Sequence, residues 1–186
     1  MIGALPKSLT VAGTDYPIRS DYRDVLTIIS AFNDPDLEDQ DKVYCCLYIL
    51  YPDFDDIPQD CYEEAFKQAV GFLDCGRKGR DRPSKRIMDW EQDESLLFPA
   101  VNKIAGYEVR AVEYLHWWTF MGYFMEITDG VYSYVLNLRS KKAHNKKLDK
   151  SEQDFWSANK EICKLHAKLT TEEQAAKDRL NKLIGN

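Results

Sequence analysis

The sequence predicts a mainly α-helical protein, a compact bundle of about seven helices with a small N-terminal β-hairpin. Apolar residues recur at helical spacing through most of the 186 residues, and Gly or Pro separates the periodic stretches. The start of the chain differs, because two short extended pieces surround the turn at Gly13. A chain of this length is expected to form one domain, 1–186. Within it we distinguish a hairpin (1–19), a basic loop (76–88) and a variable C-terminal tail helix (166–186).

Composition excludes several classes of function. The net charge of −6 and a pI near 5.2 disfavour a general nucleic-acid coat. The N-terminus lacks the pattern of a signal peptide, and no apolar run approaches the roughly 20 residues of a membrane span. The five cysteines include no C-x-x-C pair, so we expect reduced thiols packed as small hydrophobic groups. These features predict a cytosolic chain without a cofactor.

Three helices are predicted in the first part of the chain. Ser20 is expected to cap the first helix, from Asp21 to Phe32, which Asn33-Asp-Pro-Asp then breaks. The second helix is predicted from about Glu38 to Tyr51 and is stopped by Pro52. The third follows an acidic loop, from about Pro58 to Leu73.

A fourth helix is predicted after the basic loop, from Trp90 towards Ala105, with Asp89 as its cap. Pro99 lies inside this pattern and is expected to end or kink the helix near Phe98. Gly106 provides a C-terminal stop.

The most aromatic stretch predicts a central helix from about Val109 to Ile127. The apolar positions at helical spacing are Tyr114, Trp117, Trp118, Met121, Phe124 and Met125. The opposite, polar face would carry His116, Thr119, Tyr123 and Glu126. Because a stripe of this kind is usually buried, we interpret the helix as the centre of a helical core.

Three more helices complete the prediction. The first, after Gly130, would turn inward Val131, Tyr134, Val135 and Leu138 and end in the basic stretch Arg139–Lys147. Asp149 or Ser151 can cap the next helix, and Thr170-Thr-Glu-Glu resembles the start of the last one.

No catalytic or metal-binding pattern is complete. Glu113 and His116 form one Glu-x-x-His pair, but di-iron bundles use two such pairs, and neither His144 nor His166 follows a glutamate at that spacing. The sequence also lacks a nucleophile elbow, a phosphate-binding loop and a dinucleotide fingerprint. It therefore predicts a protein that is not an enzyme and has no catalytic, cofactor or metal residue.

Charged segments are the candidate contact regions. Two basic segments, 77–86 and 139–150, could dock an acidic partner, and nucleic acid remains a weaker alternative. The acidic runs 34–41 and 53–64 leave complementary self-association into a homo-oligomer open. The basic loop followed by an aromatic anchor gives our candidate partner-binding residues: Arg77, Lys78, Arg80, Arg82, Lys85, Arg86 and Trp90.

Three long strings carry a family resemblance: Met88–Gly106, Tyr114–Ile127 and Leu136–Phe155. In this order, after a Gly-Thr-Asp-Tyr-Pro-Ile turn, they resemble the bacteriophage gene-product-fifteen family of long-tailed phages and prophages of Gram-positive bacteria. The resemblance covers about residues 5 to 165 and carries no catalytic residue.

The resemblance implies a role in phage tail morphogenesis. Genes of this family lie between those of the major tail protein and the tape-measure protein, where tail-assembly chaperones are encoded. Such a chaperone would bind the tape-measure or tail-tube protein in the host bacterial cytoplasm and be absent from the mature virion. The alternatives are a minor structural or connector component of the tail and a nucleic-acid-binding accessory protein.

Overall fold

Helices form most of the part of the chain that the computed structural model describes, residues 3–77 and 85–184. A two-stranded hairpin precedes nine α-helices in these ranges, which confirms the predicted fold class. The elements are β1 (Ser8–Val11), β2 (Thr14–Pro17), α1 (Tyr22–Phe32), α2 (Asp39–Leu50), α3 (Tyr62–Leu73), α4 (Glu94–Ala105), α5 (Trp117–Met125), α6 (Gly130–Ala143), α7 (Lys150–Ala158), α8 (Lys160–Cys163) and α9 (Thr171–Ile184).

A loop of only two residues joins the two strands of the hairpin. Ala12 and Gly13 both have positive φ angles, 49° and 81°, which is the signature of the turn that matches strand twist. Leu9 pairs with Tyr16 across the strands. The hairpin packs against α3, and Val11 is buried. The backbone N–H of Ala12 donates to the Glu64 carboxylate of α3 at 3.1 Å.

A side-chain cap fixes the start of α1. The Asp21 carboxylate accepts from the backbone N–H of Arg23 at 2.9 Å, so Asp21 caps α1. The prediction that Ser20 would be this cap is wrong, because the Ser20 hydroxyl is engaged with the Tyr114 hydroxyl at 2.8 Å instead.

Helix α4 differs from its prediction at both its start and its middle. It begins at Glu94, because residues 90–93 form turns rather than helix. Pro99 does not end it, since only the Ser95 carbonyl loses its partner and Ser95 is exposed to solvent. Gly106 terminates the helix in the left-handed conformation, at φ 80°, as predicted.

The central helix is shorter than the aromatic pattern predicts. Residues 109–111 form a 3-10 turn, and α5 begins only at Trp117. His116 was expected on a polar face, but it is 3% exposed and caps α5. Its Nδ1 accepts from the Trp118 N–H at 3.0 Å, and its Nε2 donates to the Pro6 carbonyl at 2.9 Å. Both ring nitrogens therefore serve the fold, and Glu113 does not share a helix with His116.

The start of α5 joins several elements. The Trp117 N–H donates to the Ser20 carbonyl at 2.8 Å, while the Leu115 N–H donates to the Asp21 carboxylate at 2.8 Å. The indole N–H groups of Trp117 and Trp118 donate to the last carbonyls of α3, those of Leu73 and Phe72, at 2.9 Å each. We call this set of contacts, made by residues 115–118, the α5 junction.

The core contains one large cluster and one small one. Within α5, Trp117 and Phe120 are the buried aromatic residues. Tyr114, just before the helix, and Met125, at its end, were both expected inside but are 50% and 42% exposed. Val131 is likewise 53% exposed, and Tyr132 takes the inward position. The small cluster gathers around Val135, Leu138 and Cys163, under α7 and α8.

The cysteines are free thiols, as expected. Burial raises the pKa of the Cys46 thiol to about 12, which keeps this thiol protonated at neutral pH. No helix among the described residues is both long and apolar enough to cross a membrane.

A buried ion pair connects the two clusters. The Arg139 guanidinium binds both oxygens of Asp93 at 2.7 Å, and the two side chains are 5% and 2% exposed. Arg139 also donates to the carbonyls of Ile162 and Cys163. Arg139 therefore has a structural role and does not offer a surface charge, although it belongs to the basic segment 139–150 that was predicted to dock a partner.

We expect Arg139→Leu to lower the free energy of unfolding by about 3–5 kcal/mol, because it leaves the Asp93 carboxylate buried without its cation. Urea denaturation measures the change. Lys103→Leu is the control, since it removes a cation from the exposed pair with Asp129 and should leave the midpoint nearly unchanged. Equal losses in the two variants would contradict this account of Arg139.

Candidate functional site

The segment before α4 is held by a small network of carboxylates. Asp89 accepts from the backbone N–H groups of Glu91 and Gln92 at 3.0 and 2.9 Å and from the Arg86 guanidinium. The Asp89 N–H in turn donates to Asp93 at 2.9 Å. Because Asp93 is fixed by Arg139, this network fixes the position of Trp90.

Trp90 lies between the core and a surface groove. Its half-buried ring packs against Trp117 and Phe124, with centroid distances of 6.0 and 5.0 Å. The other side of the residue lines a groove of about 330 Å³ between α1 and α4. The groove floor is apolar and aromatic: Tyr22, Leu26, Ile29, Trp90 and Phe98. We call this the α1–α4 groove.

Charged side chains form the rim of the groove. The Arg23 guanidinium lies 4.6 Å from the centroid of the Tyr22 ring, and the Arg110 guanidinium lies 4.9 Å from that of Phe98. Arg110 is held by Glu108 at 2.8 and 2.9 Å, and the same hydrogen bonds lower the pKa of Glu108 to about 2. Both guanidinium groups are thus fixed beside the aromatic floor.

The chain after α8 crosses one side of the groove. The Lys168 ammonium binds the Glu91 carboxylate at 2.8 Å, and together with the Ser30 hydroxyl it lowers the pKa of Glu91. His166 exchanges hydrogen bonds with the Gln92 side chain at 2.8 and 2.9 Å. Thr171 is bound to the Asp36 carboxylate. Polar contacts therefore hold this segment beside the groove.

The two basic segments meet at the end of α6. The Lys85 ammonium donates to the Ala143 carbonyl at the end of α6. Arg86 lines a cavity of about 400 Å³ together with Lys142, Lys164 and Trp156. The Lys142 ammonium lies 4.0 Å from the centroid of the Trp156 ring. A basic surface with an aromatic wall thus results, and Trp156 was not among the predicted contact residues.

The partner-binding residues predicted from the sequence do not form one site. Trp90 lines the α1–α4 groove, while Lys85 and Arg86 lie on the basic surface. Arg77 is exposed, and its guanidinium contacts the sulfur of Met125. Lys78, Arg80 and Arg82 lie outside the described residues. No group of three His, Cys, Asp or Glu side chains in the described ranges is arranged to hold a metal ion.

The charge of Asp89 is expected to stabilise the fold. Burial favours its neutral form, but the N–H groups of Gln92 and Glu91 and the Arg86 guanidinium outweigh burial and hold the pKa below its usual value. The stabilisation is complete above the unfolded pKa of about 3.9 and is lost as the pH falls through the folded value.

Asp89→Asn should therefore unfold at lower urea concentration than the unsubstituted protein at pH 7. The difference should shrink as the pH is lowered through the acid range, because the native carboxylate then becomes protonated. Denaturation midpoints measured from pH 7 down to about pH 3 test this. Glu113→Gln, at an exposed carboxylate without a hydrogen-bond partner among the described residues, is the control; a pH-independent loss in Asp89→Asn would contradict the account.

Comparison with known proteins gives a single kind of match. The profile of the family described as Bacteriophage Gp15 protein matches residues 1–165. This range includes the α1–α4 groove floor and the basic surface up to Lys164, but not Lys168 or α9. The family is not a known enzyme family. No curated protein and no solved structure matches the chain.

Proposed function

Because the chain belongs to the family of Bacteriophage Gp15 proteins, we propose that this phage protein acts in tail morphogenesis as a tail-assembly chaperone. It would be non-enzymatic and bind the tape-measure or tail-tube protein in the host cytoplasm before the tail polymerises. The family resemblance supports the assignment to tail assembly, and the α1–α4 groove supports a binding function.

The single observation that carries the binding function is an aromatic groove left open between two helices. An amphipathic helix lays its apolar face into such a groove, with large side chains at helical spacing as anchors. The groove encloses about 330 Å³ beside its aromatic floor. A tape-measure protein, as a long amphipathic helix, presents the apolar face that this groove could cover.

The rim of the groove has the arrangement expected of an interface. Arg23, Arg110 and Glu94 surround an apolar centre in which Trp90 contributes a large ring. Tryptophan and arginine are enriched among the residues that dominate binding energy. Both arginines are already held by carboxylates, so little side-chain freedom would be lost on binding.

Co-expression with the tape-measure protein of the same phage tests the proposal. We expect the tape-measure protein to become soluble and to co-purify. Ile29→Gln, which places a polar group on the groove floor, should weaken binding about tenfold, equivalent to ~1.4 kcal/mol. Val131→Gln is the matched control, because Val131 is an exposed apolar residue on α6 that does not line the groove.

Failure of the tape-measure and tail-tube proteins to bind would contradict the chaperone function. Equal weakening by Ile29→Gln and Val131→Gln would contradict the groove as the binding site. Mass spectrometry of purified virions separates the chaperone from the alternative, a minor tail component, since only the latter is retained in the virion.

A further inference from the structure

A pair of exposed tyrosines stands on α2. Tyr44 and Tyr48, one helical turn apart, are 55% and 58% exposed, yet their rings are stacked, with centroids 6.0 Å apart and planes at 10°. Both rings rest against the buried Phe54, at 5.3 and 6.1 Å. Neither hydroxyl has a hydrogen-bond partner in the described ranges. The two rings are thus held in place by Phe54 and remain exposed to solvent.

The segment that carries these rings is rich in acidic residues. Residues 34–64 contain eleven acidic residues and one basic residue, Lys42. Asp53 and Asp55, both exposed, flank Phe54, and Asp41 lies one turn before Tyr44. None of the three forms an ion pair with another described residue. We call Asp41, Tyr44, Tyr48, Asp53 and Asp55 the acidic tyrosine face, and its chemistry suits ammonium groups that lie over the rings between carboxylates.

The basic surface offers such groups at another place on the molecule. Residues 139–150 contain six basic residues and one acidic residue. Lys142, Lys146 and Lys147 are exposed, and the contact of Lys85 with Ala143 adds a further cation beside them. We call Lys85, Lys142, Lys146 and Lys147 the basic end.

The two surfaces lie on different parts of the helical bundle. The acidic tyrosine face lies on α2, which packs against α1 and α3, whereas the basic end follows α6, which packs against α4 and α8. No ion pair among the described residues joins the two surfaces. They are complementary in charge and separate in space.

We propose that the acidic tyrosine face binds the basic end of a second copy of this chain. The contact joins two different surfaces, so an open assembly always has one free surface of each kind at its ends. Association therefore continues head to tail, either into a filament or until a ring closes. The lysines lie over the rings of Tyr44 and Tyr48, and the opposite charges of the two surfaces orient the approaching copies. This contact does not involve the α1–α4 groove and is independent of the tail-assembly function.

Sedimentation of the purified full chain tests the association. At low ionic strength we expect the average mass to exceed the monomer mass of 21.6 kDa and to rise with protein concentration. In about 1 M salt, where the Debye length is ~3 Å, the mass should return to that of the monomer. A monomer at every concentration at low ionic strength overturns the proposal.

Two variants distinguish a head-to-tail contact from other associations. Tyr44→Ser with Tyr48→Ser removes the rings, and Lys142→Gln with Lys146→Gln and Lys147→Gln removes cations. All five side chains are exposed, so both variants should fold, which circular dichroism can verify. Each variant alone should associate at least tenfold more weakly than the unsubstituted chain. Tyr107→Ser, at another exposed tyrosine, is the control and should associate normally.

A mixture of the two variants gives the decisive result. One copy keeps its basic end and the other its acidic tyrosine face, so only one contact can form. We expect a species of two chains that does not grow with concentration. Larger species in the mixture, no species beyond the monomer, or undiminished association of either variant alone each overturn the proposal.

Discussion

The α5 junction is the contact on which the rest of the structure depends. Its residues contact the hairpin segment through the Pro6 carbonyl, the start of α1 through Ser20 and Asp21, and the end of α3 through Phe72 and Leu73. These contacts pair polar groups of buried and partly buried residues. Aromatic packing then extends inward, where Tyr22 stacks on Phe120 with ring centroids 4.5 Å apart.

Helical periodicity was sufficient to predict the fold class and most helices, because helices such as α1 and α3 carry a recognisable apolar stripe. It failed where aromatic residues surround the whole helix, as in α5. There Phe120 is completely buried although it lies outside the predicted stripe, and Tyr114, which precedes α5, is half exposed. His116 was predicted on the polar face because the local sequence does not show what its ring contacts. One of its two hydrogen-bond partners is Pro6, which is 110 residues away in the chain. A local pattern carries no signal of such a contact.

The candidate surfaces were likewise predicted only in part from the sequence. Composition pointed to Trp90 and Arg86, and both lie beside cavities. The groove itself needs the packing of α1 against the segment that precedes α4, and Trp156 reaches the basic surface only through the packing of α7 near α6. Arg139 was indistinguishable from its lysine neighbours in sequence, yet it is buried because Asp93 faces it. Segregation of charge into an acidic face and a basic end is, in contrast, visible in both sequence and structure.

The α5 junction also has a kinetic consequence. Its partners are separated by 110 residues in one contact and by 94 in another, so closing it requires most of the chain. During synthesis at ~5–20 residues per second, α1, α2 and α3 leave the ribosome well before Trp117 and Trp118. Until then Tyr22 and Phe72 lack the rings that cover them in the folded protein. The N-terminal helices therefore cannot complete their native packing until α5 has been synthesised.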